Sequence, residues 1–297
     1  MLRQIKTITY CVADLQRTIS AWETLGYSIT EQGDLLASLA QLWGAANNAG
    51  LPYAVLSPAS GDDVQLRFIE TGADLPFRYP VYQGWNASEL LVTDPDELAT
   101  RFNSDSNSPF KVIGGPHDLY PTKKAPRAVQ TLGPGGELIY FSRLLPGGSK
   151  YGLKGAKSFV DRVFNVILGG CDLNAFTRFY NEKLGLRVYD PITFMIPMVA
   201  DACGVPPSTP FTLQIAKIAG RRFILEFDQY PAGVPPRPVA AQSLPPGMAM
   251  VSFGVDSLDS FDLEWHTSPA PAYDGRYTAV VTGPAGEWIE LIEMKQR

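Results

Sequence analysis

The chain repeats itself, and a repeat restricts the possible folds more than any other feature of a sequence. Four stretches share one pattern, an apolar strand, a short Asp- or Ser-containing turn and a helix: Ile8 to Ala21, Ser88 to Phe102, Val166 to Tyr180 and Met250 to Phe261. An Asp or Ser after a strand accepts from the free N–H groups of the helix that follows, and Asp14 and Asp172 are the clearest such caps. Helix one ends at Leu25-Gly26 and helix three at Leu184-Gly185, where glycine supplies the left-handed residue that closes a helix. The strand ends repeat too. Gly133 to Phe141 (GPGGELIYF) echoes Gly283 to Leu291 (GPAGEWIEL), and Val64 to Phe68 aligns with Phe223 to Phe227. The halves are therefore copies offset by about 150–160 residues, each with two modules. The expected organisation is an N-terminal domain over 1–145, a Gly-rich linker over 146–155 and a C-terminal domain over 156–297.

Strand-x-Asp-Leu-helix-Leu-Gly followed by Gly-x-x-Gly-x-x-Ile-Glu-Leu resembles the vicinal-oxygen-chelate superfamily, which includes glyoxalase I, the bleomycin-resistance proteins and the extradiol dioxygenases. The resemblance covers essentially the whole chain. It implies an α+β fold of four βαβββ modules, paired within each half into two glyoxalase-like domains with curved mixed sheets. One fold hosts many chemistries, so function rests on the residues inside the two cups.

In that superfamily four inward positions per cup usually supply His and Glu to a divalent metal. In the first half they fall on Thr7, Arg67, Ala87 and Tyr140, with Thr9 and Glu89 facing the same way two residues along. Thr is a poor ligand, Ala has no donor atom and Arg repels a metal. In the second half they fall on Asn165, Glu226, Met250 and Glu290. A hard ion such as Mg²⁺ or Mn²⁺ can be held by Glu226, Glu290 and the Asn165 carbonyl. The two histidines, His117 and His266, lie at no ligand position, so a two-His-one-carboxylate iron site is not expected.

Two carboxylates in one apolar cup without a metal raise each other's pKa and make an acid beside a base. Glu226 and Glu290 are thus the candidates for proton transfer, with Asn165 orienting a substrate carbonyl or oxyanion; the alternative is a hydrogen-bonded, inert pair. Arg67 either holds a ligand anion or forms an ion pair with Glu89. Tyr140 donates to a ligand or packs, Met250 is an apolar wall, and His117 sits on a turn-rich connection that can reach over a cup. Leu35 to Leu51, Ile192 to Pro210 and Tyr230 to Pro246 are apolar inserts expected to wall the pockets, or else to cover a sheet edge.

Composition excludes other classes. The net charge of -5 comes without a basic stripe, against a nucleic-acid partner; Lys123-Lys124 and Arg221-Arg222 read as solvated turns. The absence of any apolar run of about 18 residues argues against a membrane span. Three cysteines without Cys-x-x-Cys spacing suit free thiols in a reducing cytosol, and no signal peptide is read at the start. The leading expectation is a cytoplasmic lyase or isomerase acting on a small molecule with an apolar or aromatic body, without a tightly bound transition metal. The second is a non-catalytic binding protein of the bleomycin-resistance kind. The third, an extradiol-type dioxygenase, is disfavoured by the missing histidines. A homodimer is compatible with the sequence.

Overall fold

A computed structural model of the chain describes residues 1–72, 81–120, 122–220 and 222–295, the side chains of Met198 and Ala202 excepted. Four modules follow one another. The first runs β1 (Leu2–Val12), α1 (Leu15–Glu23), β2 (Tyr27–Asp34), α2 (Ala37–Trp43), β3 (Pro52–Pro58) and β4 (Gln65–Glu70). The second runs β5 (Gly84–Val92), α3 (Pro95–Ser104), β6 (Lys111–Asp118), β7 (Arg127–Leu132) and β8 (Leu138–Arg143). The third comprises β9 (Val160–Gly170), α4 (Leu173–Arg178), β10 (Arg187–Val188), β11 (Ile192–Met195), α5 (Pro197–Cys203), β12 (Pro210–Lys217) and β13 (Ile224–Gln229). The fourth comprises β14 (Met248–Val255), β15 (Ala270–Ala272), β16 (Arg276–Thr282) and β17 (Trp288–Glu293).

The expected caps form. Asp14 accepts from the Arg17 amide at 2.8 Å and Asp172 from the Ala175 amide at 3.0 Å, and Asp94 does the same for α3. Gly26 and Gly185 take φ of 85° and 71°, which an L side chain resists. The fourth helix does not form: after β14 a single 3-10 turn, Leu258–Ser260, stands in its place. Of that turn only Leu258 is buried, and Pro269 and Pro271 lie just beyond.

Module pairing corrects the expected layout. Two mixed sheets are present, one ordered β15-β16-β17-β14-β1-β4-β3-β2 and the other β10-β12-β13-β9-β5-β8-β7-β6. The first therefore joins modules one and four, and the second joins modules two and three. The antiparallel seams are β1 with β14 and β5 with β9. Each cup takes one module from each half of the chain. The repeat gave the modules but not their partners, because every module offers the same first-strand edge.

One face of each sheet contributes to a single continuous core that contains Trp22, Phe68, Trp85, Phe141, Phe227 and Phe253. Polar tips bridge the sheets there: the Tyr10 hydroxyl donates to Ser88 Oγ at 2.7 Å and Trp85 Nε1 to the Trp288 carbonyl at 2.8 Å. The other faces are the cups. Among the described residues no helix is long and apolar enough to cross a membrane. The stretch 146–155 does not hang free, since Tyr151 and Leu153 pack into the apolar wall of the second cup. Of the two basic pairs, Arg222 bridges Asp62 at 2.6 Å, and Arg221 lies outside the described residues.

Candidate functional site

Strand parity decides what each cup contains. In the first cup, β1 presents Thr7 and Thr9, β4 presents Arg67, β14 presents Met250 and Ser252, and β17 presents Glu290. Glu290 is 0% exposed. It accepts from Trp43 Nε1 at 2.7 Å and from the Tyr273 hydroxyl at 2.8 Å, and Ser252 Oγ also donates to it. Arg67 lies 3.8 Å from Glu290, donates to the Tyr273 hydroxyl at 2.9 Å and to Thr9 Oγ1 at 3.4 Å, and stacks 5.0 Å from the Trp43 ring centroid. Trp43 arrives on α2, whose apolar residues Ala40 and Trp43 join Met250, Val280, Trp288 and Leu244 in one cluster. Tyr273 arrives on the β15–β16 turn, where Tyr273 and Asp274 both have positive φ, 32° and 63°. In the first cup the Glu290 carboxylate is thus held by Trp43, Tyr273 and Ser252 with the Arg67 guanidinium beside it.

The second cup differs. Its floor carries Glu89 on β5, Tyr140 on β8, Asn165 on β9, and Glu226 with Asp228 on β13. Asn165 faces Glu89 across the β5–β9 seam, and its Nδ2 donates to Glu89 Oε2 at 2.8 Å and to Glu226 Oε2 at 3.1 Å. Ser142 Oγ donates to the other Glu89 oxygen, and Gln130 Nε2 donates to the Tyr140 hydroxyl at 2.7 Å. Glu226 and Asp228 stand two apart on one strand face, hydrogen-bonded to each other. Both are only half-buried, so this cup keeps an opening that the first has lost. None of the ion pairs among the described residues reaches Glu89, Glu226 or Asp228.

The electrostatics follow. Burial pushes the Glu226 carboxyl well above the carboxylate range, and the charges of Asp228 and Glu89 push it further. Burial raises Asp228 to about 7, while the hydrogen bond from Glu226 holds it down. Glu89 is raised by burial against the pull of Ser142 and Asn165. Both carboxyls of the pair thus hold a proton more tightly than a free carboxylate does. The mouth is aromatic: Tyr151 and Tyr189 lie 5.5 Å apart, and Lys150 sits 5.6 Å from the Tyr120 ring centroid at the rim. On α5, the element above the cup, Cys203 is raised to about 11 by burial and the charge of Asp228.

The sequence-derived candidates separate accordingly. Glu226 and Asn165 meet, together with Glu89 and Tyr140. Glu290, Arg67, Met250 and Thr7 lie in the other cup. The expected Glu226–Glu290 pair does not form, and neither does a metal set of Glu226, Glu290 and Asn165, because β13 and β17 belong to different sheets. Nor does Arg67 pair with Glu89; its partner is Glu290. His117 points out from edge strand β6 to Asp201 of α5, 3.1 Å away, so it pins the second cup's cover and does not line its floor. His266 packs edge-on against Trp288 at the first cup's rim.

Asp228 is not among the residues expected from the sequence, although the rule that residues two apart share a face, which gives Thr9 and Glu89, points to it from Glu226 directly. Nothing in the local sequence pointed to Trp43 or Tyr273 as partners of Glu290. The apolar inserts do serve as walls. Residues 35–51 cover the first cup, 192–210 the second, and 230–246 runs between β13 and β14, where Arg237 donates to the Pro246, Met248 and Trp85 carbonyls.

No family model matches the sequence, and no curated protein matches it either. Solved structures do. Glyoxalase I from Zea mays superposes with a TM-score of 0.64 at 18% identity, over 98% of this chain and 92% of that one. A putative dioxygenase from Bacillus subtilis gives 0.64 at 11% identity, over 99% and 86%. Both matches run through all four modules. With two curled cups and this end-to-end similarity, the chain has the same four-module fold as these two structures.

Proposed function

We propose that the second cup is the working site of a lyase or isomerase that moves protons on a small organic molecule, and that the first cup is structural. The observation that carries this reading is the Glu226–Asp228 pair. Two carboxyls on one strand face share a proton inside a half-open cup, with Asn165 fixing one of them and Glu89 adding negative charge behind it. Such a pair supplies a base and an acid at once. Near pH 8 the Asp228 carboxylate takes a proton from an acidic C–H or O–H of the ligand. Glu226 gives its proton to a second atom of the ligand, and the pair resets by passing one proton back. Asn165 Nδ2 holds Glu89 and Glu226 side by side while this happens.

The divalent ion common in this fold is poorly served by the residues present. In the first cup the Arg67 guanidinium occupies the place beside the carboxylate. In the second, the Asn165 amide nitrogen occupies an oxygen of both glutamates, and no imidazole is among the residues of the floor. Among the described residues no group of three His, Cys, Asp or Glu side chains is placed to hold an ion. No step is therefore routed through a metal.

The test is proton exchange. The protein is incubated in D₂O with small carbonyl compounds, aminoketones and vicinal diols bearing aromatic groups, and deuterium incorporation is followed by NMR. Exchange that disappears in Glu226→Gln and Asp228→Asn but persists in Glu290→Gln is the expected result. Exchange that survives both second-cup variants refutes the reading. The aromatic mouth, Tyr151 against Tyr189, favours sequestration as the second reading; tight binding without exchange in any of these compounds would select it.

A further inference from the structure

The polar atoms that the second cup leaves unused are acceptors. Asn165 is fully buried and Gln130 is 2% exposed. Each spends its amide nitrogen on the cup floor, Asn165 on two glutamates and Gln130 on Tyr140. Each is left with a buried carbonyl oxygen that has no partner, Asn165 Oδ1 and Gln130 Oε1. A buried acceptor without a donor is destabilising, so two of them on the strands of one sheet call for a donor to complete them. Beside them stand three carboxyls with no cation paired to any of them among the described residues. The groups facing the pair from packed elements are Glu89 on β5, Tyr140 on β8 and Cys203 on α5, all neutral or negative. The cations near the opening are Lys150 and Arg187, each engaged over a tyrosine ring, Tyr120 and Tyr189. These rings already draw positive charge to the mouth, as tyrosine faces do.

We infer that the ligand of the second cup is an organic cation, a protonated amine, amidine or guanidine on an aromatic or apolar body, whose N–H groups point at Glu226, Asp228 and the orphaned amide oxygens. This names the ligand class for the site proposed above and rests on that proposal. An inorganic divalent ion answers the charge but not the tyrosines. An anion meets three acids, and a neutral alcohol leaves the charge uncompensated. Bringing a cation to the pair favours its ionised form, so binding expels a proton. Linkage then fixes the sign: affinity rises with pH through the titration of Asp228 near 7, by about tenfold between pH 6 and pH 8 for one fully coupled proton.

Calorimetry with benzamidine, benzylamine, benzyl alcohol and benzoate tests this, at pH 6 and pH 8 and in two buffers of different ionisation enthalpy. The expected result is binding of benzamidine and benzylamine, release of close to one proton at pH 6, and the tenfold pH effect. Asp228→Asn should abolish the pH effect, and Asn165→Ala should weaken benzamidine with Asp228 still titrating. If either variant fails to fold, Tyr151→Ala, at the mouth, should weaken benzamidine more than benzyl alcohol. Benzoate binding better than benzamidine, or benzyl alcohol binding equally well without proton release, overturns the ligand class while leaving the cup as the site. Benzamidine binding that no second-cup variant alters, but that Arg67→Met does, overturns the choice of cup itself.

Discussion

Arg67→Met is the sharpest perturbation of the first cup. The substitution keeps most of the stem's volume and removes the cation that pairs with Glu290, which is 0% exposed. Glu290 would retain its donors, Trp43 Nε1, Tyr273 and Ser252, but its charge would have no counterpart. Breaking a buried ion pair from one side destabilises by about 3–5 kcal/mol. With an unfolding entropy of about 2.1 cal/mol/K per residue over 297 residues, that is a fall in melting temperature of roughly 5–8 °C. The loss is read at pH 8 and at pH 5. The double variant Arg67→Met with Glu290→Gln removes both charges and should recover most of the loss, since a buried pair is worth little against a neutral replacement of similar shape. Differential scanning calorimetry of the four proteins at the two pH values closes the cycle. A single Arg67→Met variant as stable as the parent at pH 8, or a double variant worse than the single one, would refute the view of this cup as a self-neutralised plug.

Other expectations follow from the same geometry. Burial raises Asp228 and Glu287 to about 7 in the folded chain, above their unfolded values, so the folded state binds protons more tightly; stability should fall as pH rises from about 4 to 7 and then level off, and a denaturation series that instead gains stability across that window contradicts the assignment. Trp43→Phe removes one donor to a buried carboxylate while keeping the ring, and should destabilise by about 1.5–3 kcal/mol in urea unfolding. Gly283→Ala would place a Cβ 2.0 Å from Glu287 Oε1, displacing the carboxylate from the Ala285 amide that it accepts from at 2.7 Å; a loss of about 1–3 kcal/mol is expected, and an unchanged midpoint would show that this turn gives way freely.

Much of this molecule could be read from its residues. Strand, capped turn, helix and glycine hairpin recur because each is set by local chemistry: Asp14 and Asp172 cap where expected, and Gly26 and Gly185 end their helices in the left-handed region. Inward-facing positions were legible too, since alternation along a strand is local; Arg67, Glu89, Asn165, Glu226 and Glu290 all face a cup. Which strands share a cup is a long-range property. Glu226 and Glu290 look equivalent in sequence, yet β13 joins the β9–β5 seam and β17 the β14–β1 seam. For the same reason Arg67 pairs with Glu290, where the sequence offers a ligand anion or Glu89. The outer rows of contacts were less visible still. Tyr273 reaches Arg67 and Glu290 only because a turn holds two non-glycine residues at positive φ, which no pattern of apolar spacing reveals.

The order in which the cups can be completed follows from the nested arrangement of the modules. The inner cup brings together residues such as Glu89 and Asn165, 76 positions apart, whereas the outer one joins Trp43 to Glu290 across 247. During synthesis from the N-terminus the inner cup has all its strands once β13 has emerged. The first module must wait with the β1 edge unpaired until nearly the last strand is made. Closing so long a loop is slow, and an open strand edge in the meantime invites association with other chains. A ribosome-bound chain ending after β13 should already protect the amides of β5 and β9 from hydrogen exchange while the β1 amides that face β14 stay exposed.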